Sequence, residues 1–202
     1  MYSRRTFMKV QVILGSTREG RFSEKPGGWI VDELKKRDGI EAEVLDLRDY
    51  PMPFFNEPVS PSVITEPYKN EAVQRWTRKI DEGDGYVIIA PEYNHGYPAV
   101  LKNALDYTYK SWNRKAVGFV GYGSAMGARS IEQLRLVVAE LQMVSVRQSV
   151  LIPGAVYMEA KNASSDGAVK TAFEPVSEQA KTMIDQLLWW AGALKNAREQ
   201  TS

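Results

Sequence analysis

The chain has 202 residues, 44% of them apolar and 25% charged, with 26 basic residues against 25 acidic ones and a formal net charge of +1. That composition belongs to an ordinary globular protein with length for one full core, and without the basic excess of a nucleic-acid or membrane-surface binder. With no cysteine, disulfides, thiolate metal sites, iron–sulfur clusters and cysteine nucleophiles are excluded, which suits a cytoplasmic protein.

Residues 1–8 read as a short leader in which Arg4, Arg5, Phe7 and Met8 stand where a twin-arginine export signal would place them. Such a signal needs an apolar core of about 7–15 residues and then a cleavage site. Here "VQVILG" is interrupted by Gln11 and runs at once into "STREGR". The run is therefore expected to be a buried strand, over 9–15 in "KVQVILG". No stretch reaches the ~18 consecutive apolar residues of a membrane span.

After this strand comes the loop "GSTREGRFS" at 15–23, then a helix over 29–37, a strand over 41–47 and a Pro- and aromatic-rich loop over 51–63. Apolar residues at helical spacing follow over 66–82. The apolar run "GYVIIAP" at 85–91 reads as a strand leading into the turn "PEYNHGYP" and a helix over 98–110. "AVGFVGYG" at 116–123 reads the same way, leading into "GYGSAMG" and a helix over 128–142. A fifth strand is expected within 143–152, a loose segment over 157–175, and a last helix over 176–197. On that helix the adjacent Trp189 and Trp190 cannot share one stripe, so one is expected in the core and the other shallowly exposed or at an interface. Strands alternating with helices specify an α/β domain with a parallel sheet, and the whole of 1–202 reads as one such domain.

In an open parallel sheet ligands bind beyond the carboxyl ends of the strands. The three clearest strands end in Gly-containing, donor-rich loops that would line one rim. In "GSTREGRFS", Gly15 permits a sharp turn, Ser16, Thr17 and Ser23 supply hydroxyls, and Arg18 and Arg21 supply charge. A helix N-terminus follows, with Ser23 as the expected N-cap and Pro26 in the first turn. This combination suits a phosphate, with no metal required. No G-x-x-x-x-G-K-[ST] is present, and "GYGSAMG" has neither the dinucleotide-binding spacing nor an acidic residue ending a second strand. Nor is it a G-x-S-x-G elbow, and His95 is the single histidine, so a Ser-His-Asp hydrolase is disfavoured.

The blocks "GSTREGRFS", "PEYNHGYPAVLKNALDY" and "GYGSAMGARS" resemble those of the NADPH-dependent FMN reductases, over about residues 9 to 150. The resemblance implies a flavodoxin-like fold, a five-stranded parallel sheet in order 2-1-3-4-5 with helices on both faces. It implies FMN as cofactor and NADPH or NADH as co-substrate, with a quinone, azo compound, metal oxyanion or free flavin as small-molecule acceptor. Carried onto this chain, Ser16, Arg18 and Ser23 would bind the FMN phosphate. Pro91, Glu92, Tyr93 and Asn94 would run beside the isoalloxazine with His95 and Gly96 completing the turn, and Gly121, Gly123 and Ser124 would close the other side. No side chain is obligatory for catalysis, because the redox chemistry belongs to the cofactor; His95 is the one candidate proton donor.

The resemblance also implies a homodimer or homotetramer. In "DYPMPFFNEP", Phe54 and Phe55 would either wall a substrate pocket, on a neighbouring subunit's flavin, or cover the sheet edge. Arg21, Lys25 and Arg129 are the candidates for a nucleotide 2′-phosphate. The alternative function is a flavodoxin-type electron carrier that does not oxidise NAD(P)H, but such carriers are strongly acidic and this chain is near neutral.

Overall fold

A computed structural model describes residues 7–65 and 67–200; Arg4 and Arg5 of the leader lie outside them. The apolar runs form β1 (Met8–Leu14), β2 (Ile40–Asp46), β3 (Gly85–Pro91) and β4 (Ala116–Tyr122). All pair in parallel, in the order β2-β1-β3-β4. Every residue of β3 and β4 is buried, as expected of strands covered on both faces. The strand containing Met8 begins one residue before the expected start, inside the reach assigned to the leader.

Gln11, which interrupts the first apolar run, is fully buried and bridges elements: its amide nitrogen donates to Glu43 Oε1 at 2.9 Å and Lys79 O at 2.8 Å. The amide nitrogen is thus satisfied, while the buried Oε1 has no partner.

The seven helices of the described residues divide between the two faces. On one lie α1 (Glu24–Lys35), α5 (Gly154–Asn162), α6 (Asp166–Ala172) and α7 (Ser177–Gln200), packed on the face that carries Val10, Val12, Val87 and Val120. On the other, α2 (Glu71–Asp81), α3 (Ala99–Asp106) and α4 (Ala128–Glu140) cover Ile13, Ile88, Val117 and Phe119. Both α2 and α3 are shorter than their apolar periodicity suggested. Asn70 caps α2 by accepting from Ala72 N and Val73 N, which leaves Tyr68 outside the helix. Trp76 of α2 is fully buried and donates from Nε1 to Ala104 O at 2.8 Å, which ties α2 to α3.

Three expectations are corrected. The segment 157–175 is not loose: it contains the end of α5 and all of α6, and buries Ala160, Val169, Ala172 and Phe173. Its small and polar letters concealed a short apolar face. Neither Trp189 nor Trp190 is core, with relative exposures of 66% and 39%. Ile184, Leu187 and Ala191 already fill the inward stripe, and the two indoles pack edge-on against each other at 4.9 Å.

The fifth strand position, finally, is split into β5 (Val144–Ser145) and β6 (Val150–Leu151), both pairing in parallel with β4. Arg135 of α4 fills the interruption. It donates to Ser145 Oγ at 2.5 Å, Val146 O at 2.8 Å, and Arg147 O and Ser149 Oγ, each at 2.9 Å. Backbone that leaves a ladder needs substitute partners, and one guanidinium supplies them.

Arg135→Met keeps the stem and removes these bonds. It is expected to lower stability by about 2 kcal/mol, read as a lower urea midpoint at unchanged slope.

Candidate cofactor site

The β1–α1 loop begins where β1 runs out of room. Gly15 N donates to Ile89 O at 2.9 Å, and a Cβ on Gly15 would sit 2.7 Å from that same oxygen, so only glycine fits. Beyond it the carbonyls are held from outside by two arginines. Arg21, its side chain 1% exposed, donates to Ser16 O at 2.5 Å and to both carboxylate oxygens of Asp46 at the end of β2. It also donates to Glu24 Oε1, from Nε at 3.0 Å and Nη2 at 2.9 Å. Arg48 donates to Thr17 O at 3.3 Å and Arg18 O at 2.6 Å.

The carbonyls of 16, 17 and 18 are thus occupied, while the N–H groups of Thr17, Glu19, Gly20, Phe22 and Ser23 have no acceptor among the described residues. Such unpaired amides ahead of a helix N-terminus form an anion-binding concavity. Ser23 stands at the N-cap position of α1 but makes no capping bond; its Oγ is fully buried and unpartnered. Ser16 Oγ accepts from Arg18 N at 3.3 Å and shares a hydrogen bond with Tyr93 Oη at 2.8 Å, and the Arg18 guanidinium lies 5.9 Å from the Tyr93 ring centre.

The β3–α3 turn continues the ladder by one bond, Glu92 N to Tyr122 O at 2.9 Å, and then reverses. Tyr93 and Gly96 exchange backbone hydrogen bonds of 2.8 and 3.0 Å. Between them Asn94 and His95 both take positive φ, 49° and 68°. A two-residue hairpin loop of type I′ needs this conformation at both central positions, and usually finds it with Asn followed by Gly. Asn and His both take it more readily than most residues, yet each still costs on the order of 1–3 kcal/mol relative to an unstrained backbone.

In the β4–α4 loop, Gly123 at φ 139° would place a Cβ 3.1 Å from Glu92 Cβ. A Cβ on Gly127, at φ 78°, would sit 2.5 Å from Tyr122 N. Glycine at 123 thus permits the close approach to the β3–α3 turn, and glycine at 127 lets this loop fold back on the end of its own strand. The Glu92 side chain is 2% exposed and ion-paired with Arg129 at the start of α4. Arg129 Nη1 meets His95 Nε2 at 2.9 Å. A guanidinium only donates, so Nε2 is the acceptor and the ring proton belongs on Nδ1. Ser124 is exposed.

One cavity of about 170 Å³ joins all three loops, lined by Arg18, Phe22, Pro91, Tyr93, Tyr122 and Gly123. Of the residues expected at the rim, Arg18, Pro91, Glu92, Tyr93 and Gly123 line this cavity, while Ser16, Ser23, Asn94, His95, Gly96, Gly121 and Ser124 belong to the same loops but do not line it. Arg21 is consumed by Asp46 and Glu24, and Ser23 does not cap. Lys25 and Arg129, the other candidates for a 2′-phosphate, are also engaged, Lys25 with Ala163 O at 2.9 Å and Arg129 with Glu92. Of the two phenylalanines, Phe55 packs edge-on to Tyr107 at 5.3 Å while Phe54 is 79% exposed. Asn103, within the "LKNALD" block, fixes them by donating to Pro53 O and accepting from Phe55 N, both at 2.8 Å.

Sequence reasoning missed Arg48, which reads as a surface charge, and Tyr157 of α5, which also lines the cavity and packs against Phe22 at 4.4 Å. A larger cavity, of about 420 Å³, lies along α2, between Tyr68, Gln74 and Asp81 on one side and Tyr107 and Lys110 on the other, and none of the three loops lines it.

Burial works to raise the Asp46 carboxyl, but the Arg21 and Arg48 hydrogen bonds and charges outweigh it and hold the group below the usual aspartate range. The pair's stabilisation is therefore present above the unfolded value near 3.9, and is lost as pH falls through the native value. Arg21→Met strands the carboxylate and is expected to cost on the order of 3 kcal/mol at pH 7. Asp46→Asn is expected to flatten the loss of stability below about pH 4, measured by urea unfolding across that range.

The family of NADPH-dependent FMN reductases matches residues 8–156 of this chain. An NAD(P)H-dependent FMN reductase of Schizosaccharomyces pombe is 33% identical over 178 residues, 84% of this chain and 89% of that one. An FMN-dependent NADPH-azoreductase of Staphylococcus saprophyticus is 27% identical over 183 residues, 90% of this chain and 94% of that one. Among solved structures, the flavoenzyme NAD(P)H:(acceptor) oxidoreductase FerB of Paracoccus denitrificans superposes with a TM-score of 0.66 at 23% identity, covering 89% of this chain and 97% of that one, a likeness of fold. With the expected sheet order observed and the family match spanning all three loops, the chain belongs to the NADPH-dependent FMN reductases.

Proposed function

We propose that the chain is an FMN-dependent NAD(P)H oxidoreductase whose cofactor lies across the β1–α1, β3–α3 and β4–α4 loops. The observation that carries this reading is the convergence of those loops, and of no others among the described residues, on one cavity at the carboxyl ends of the strands. The donor set suits FMN: unpaired loop amides, the orphaned Ser23 hydroxyl and the Arg18 guanidinium for a phosphate, then a glycine-lined cleft for a flat ring. Ser16, Arg18 and Ser23 are assigned to the phosphate. Pro91, Glu92, Tyr93, Asn94, His95 and Gly96 are assigned to one side of the ring, and Gly121, Gly123 and Ser124 to the other.

When bound, FMN supplies two-electron chemistry between a nicotinamide and an acceptor. What the protein contributes is binding, orientation and exclusion of water. Arg21 and Arg48 keep the phosphate loop's carbonyls turned away from an incoming anion. The cavity is smaller than the ~300–1,000 Å³ of sites that bury whole ligands, which leaves part of the cofactor open to reactants.

The acceptor is proposed to be a small conjugated molecule of the quinone or azo class, taking its turn at the site vacated by nicotinamide, so that kinetics are ping-pong. His95 is not needed as a proton donor in this scheme. We further propose a cytoplasmic homodimer or homotetramer; the exposed Phe54, between the two residues whose backbone Asn103 holds, and the exposed Leu136 of α4 support an interface. No helix among the described residues is long and apolar enough to cross a membrane.

Titrating the FMN-loaded protein anaerobically with NADPH or NADH tests the reading. Rapid bleaching of the flavin band is expected. Flavin that binds but stays oxidised would contradict the enzyme and leave an electron carrier. Arg18→Ala is expected to weaken FMN by about tenfold or more and riboflavin little, since a charged hydrogen bond to phosphate contributes about 1.5–3 kcal/mol.

A further inference from the structure

The strained turn at Asn94–His95 is held from one side by α4. Arg129 and Gln133, four residues apart, lie on neighbouring turns of one helix face. Arg129 donates to His95 Nε2 at 2.9 Å and ion-pairs with the buried Glu92 carboxylate, which also accepts from Arg129 N at 3.3 Å. Gln133 Nε2 donates to His95 O at 3.0 Å. A Cβ on Gly96 would come within 2.9 Å of Gln133 Oε1, so the side chain lies directly against the turn's last residue. Every residue of the turn but Asn94 is therefore gripped either by the hairpin's own backbone bonds or by this helix face.

Two adjacent non-glycine residues at positive φ persist only where their surroundings over-determine them. Here the surroundings are specific and polar. Glu92 cancels the charge of Arg129, so the guanidinium is not a free anion site; its remaining donor capacity goes to the histidine. The helix that follows β4 thus sets the shape of the loop that follows β3, and the cleft between the two loops has a fixed width.

We propose that Arg129 and Gln133 are positioning residues: they hold the 93–96 turn in the conformation that receives the flavin ring, and act on the ring end of the cofactor and not on its phosphate. This inference rests on the assignment of that turn to FMN, and the test separates the two ideas. The parent protein, Arg129→Lys, Gln133→Ala and, for contrast, Arg18→Ala are titrated with FMN and with riboflavin, which lacks the phosphate; the shape of the bound flavin's visible band and the thermal midpoint are recorded for each.

Arg129→Lys keeps the positive charge opposite Glu92 but loses the fork that reaches His95, and Gln133→Ala changes an exposed side chain, so both are expected to fold. Each is expected to weaken FMN and riboflavin by the same factor, about tenfold for Arg129→Lys. Each is also expected to alter the flavin band. Arg18→Ala instead changes the ratio of the two affinities.

Unchanged affinities and an unchanged band in both variants, with or without a lower thermal midpoint, would mean the contacts are merely structural and overturn the inference. A loss confined to FMN would overturn it too, because the effect would then run through the phosphate. Failure of the parent protein to bind either flavin would overturn the cofactor assignment itself, and the inference with it.

Discussion

The Arg21 guanidinium is the constraint on which the site depends. It is nearly sealed from solvent, and joins the end of β1, through Ser16 O, to the end of β2, through Asp46, and to the first turn of α1, through Glu24. Arginine suits this place because its donors are fixed in a plane and remain charged, so one side chain serves several acceptors at once. A buried pair of this kind adds little net stability compared with an apolar replacement; what it adds is a defined geometry at the price of severe loss when one partner is removed. With the loop's carbonyls drawn to Arg21 and Arg48, its amides are left for an anion. Arg18, which no carboxylate engages among the described residues, supplies the charge.

A second rigid unit stands across the cleft. Gly123 and Gly127 let β4's loop approach Glu92 and Tyr122 closely, and Arg129 then closes the gap electrostatically. The two units differ in kind. In the proposed reading the first, with its unpaired backbone amides, would take charge and the second would receive something flat. Their connection in this structure is Tyr93, whose hydroxyl meets Ser16 while its backbone belongs to the turn. A dianion at one end and a planar ring at the other describe FMN well, and no acid–base pair is demanded of the protein by chemistry that the cofactor performs.

Much of this was legible from the residues. β3 and β4 announced themselves as continuous apolar runs because strands covered on both faces need no polar alternation. The three loops were marked by glycine at strand ends. The roles of individual charges were not legible, since Arg18 and Arg21 look alike in "STREGR" and what distinguishes them is that Arg21 is held by Asp46, Glu24 and Ser16 O. Arg48 and Arg135 likewise act on backbone carbonyls, which carry no letter in a sequence. The segment around α5 and α6 was misread for a related reason. Its apolar residues are sparse, and their burial comes from packing beneath α1 and α7, as in the stacking of Phe173 on Trp29 at 4.6 Å.

Backbone hydrogen–deuterium exchange with and without FMN tests the central claim most directly, because it reads amides and not activity. Slowed exchange is predicted in three separate stretches, residues 16–23, 92–96 and 121–128, together and at the same FMN concentration. Protection in only one of them, or in residues outside these loops such as those around Tyr68 and Lys110, would contradict the account.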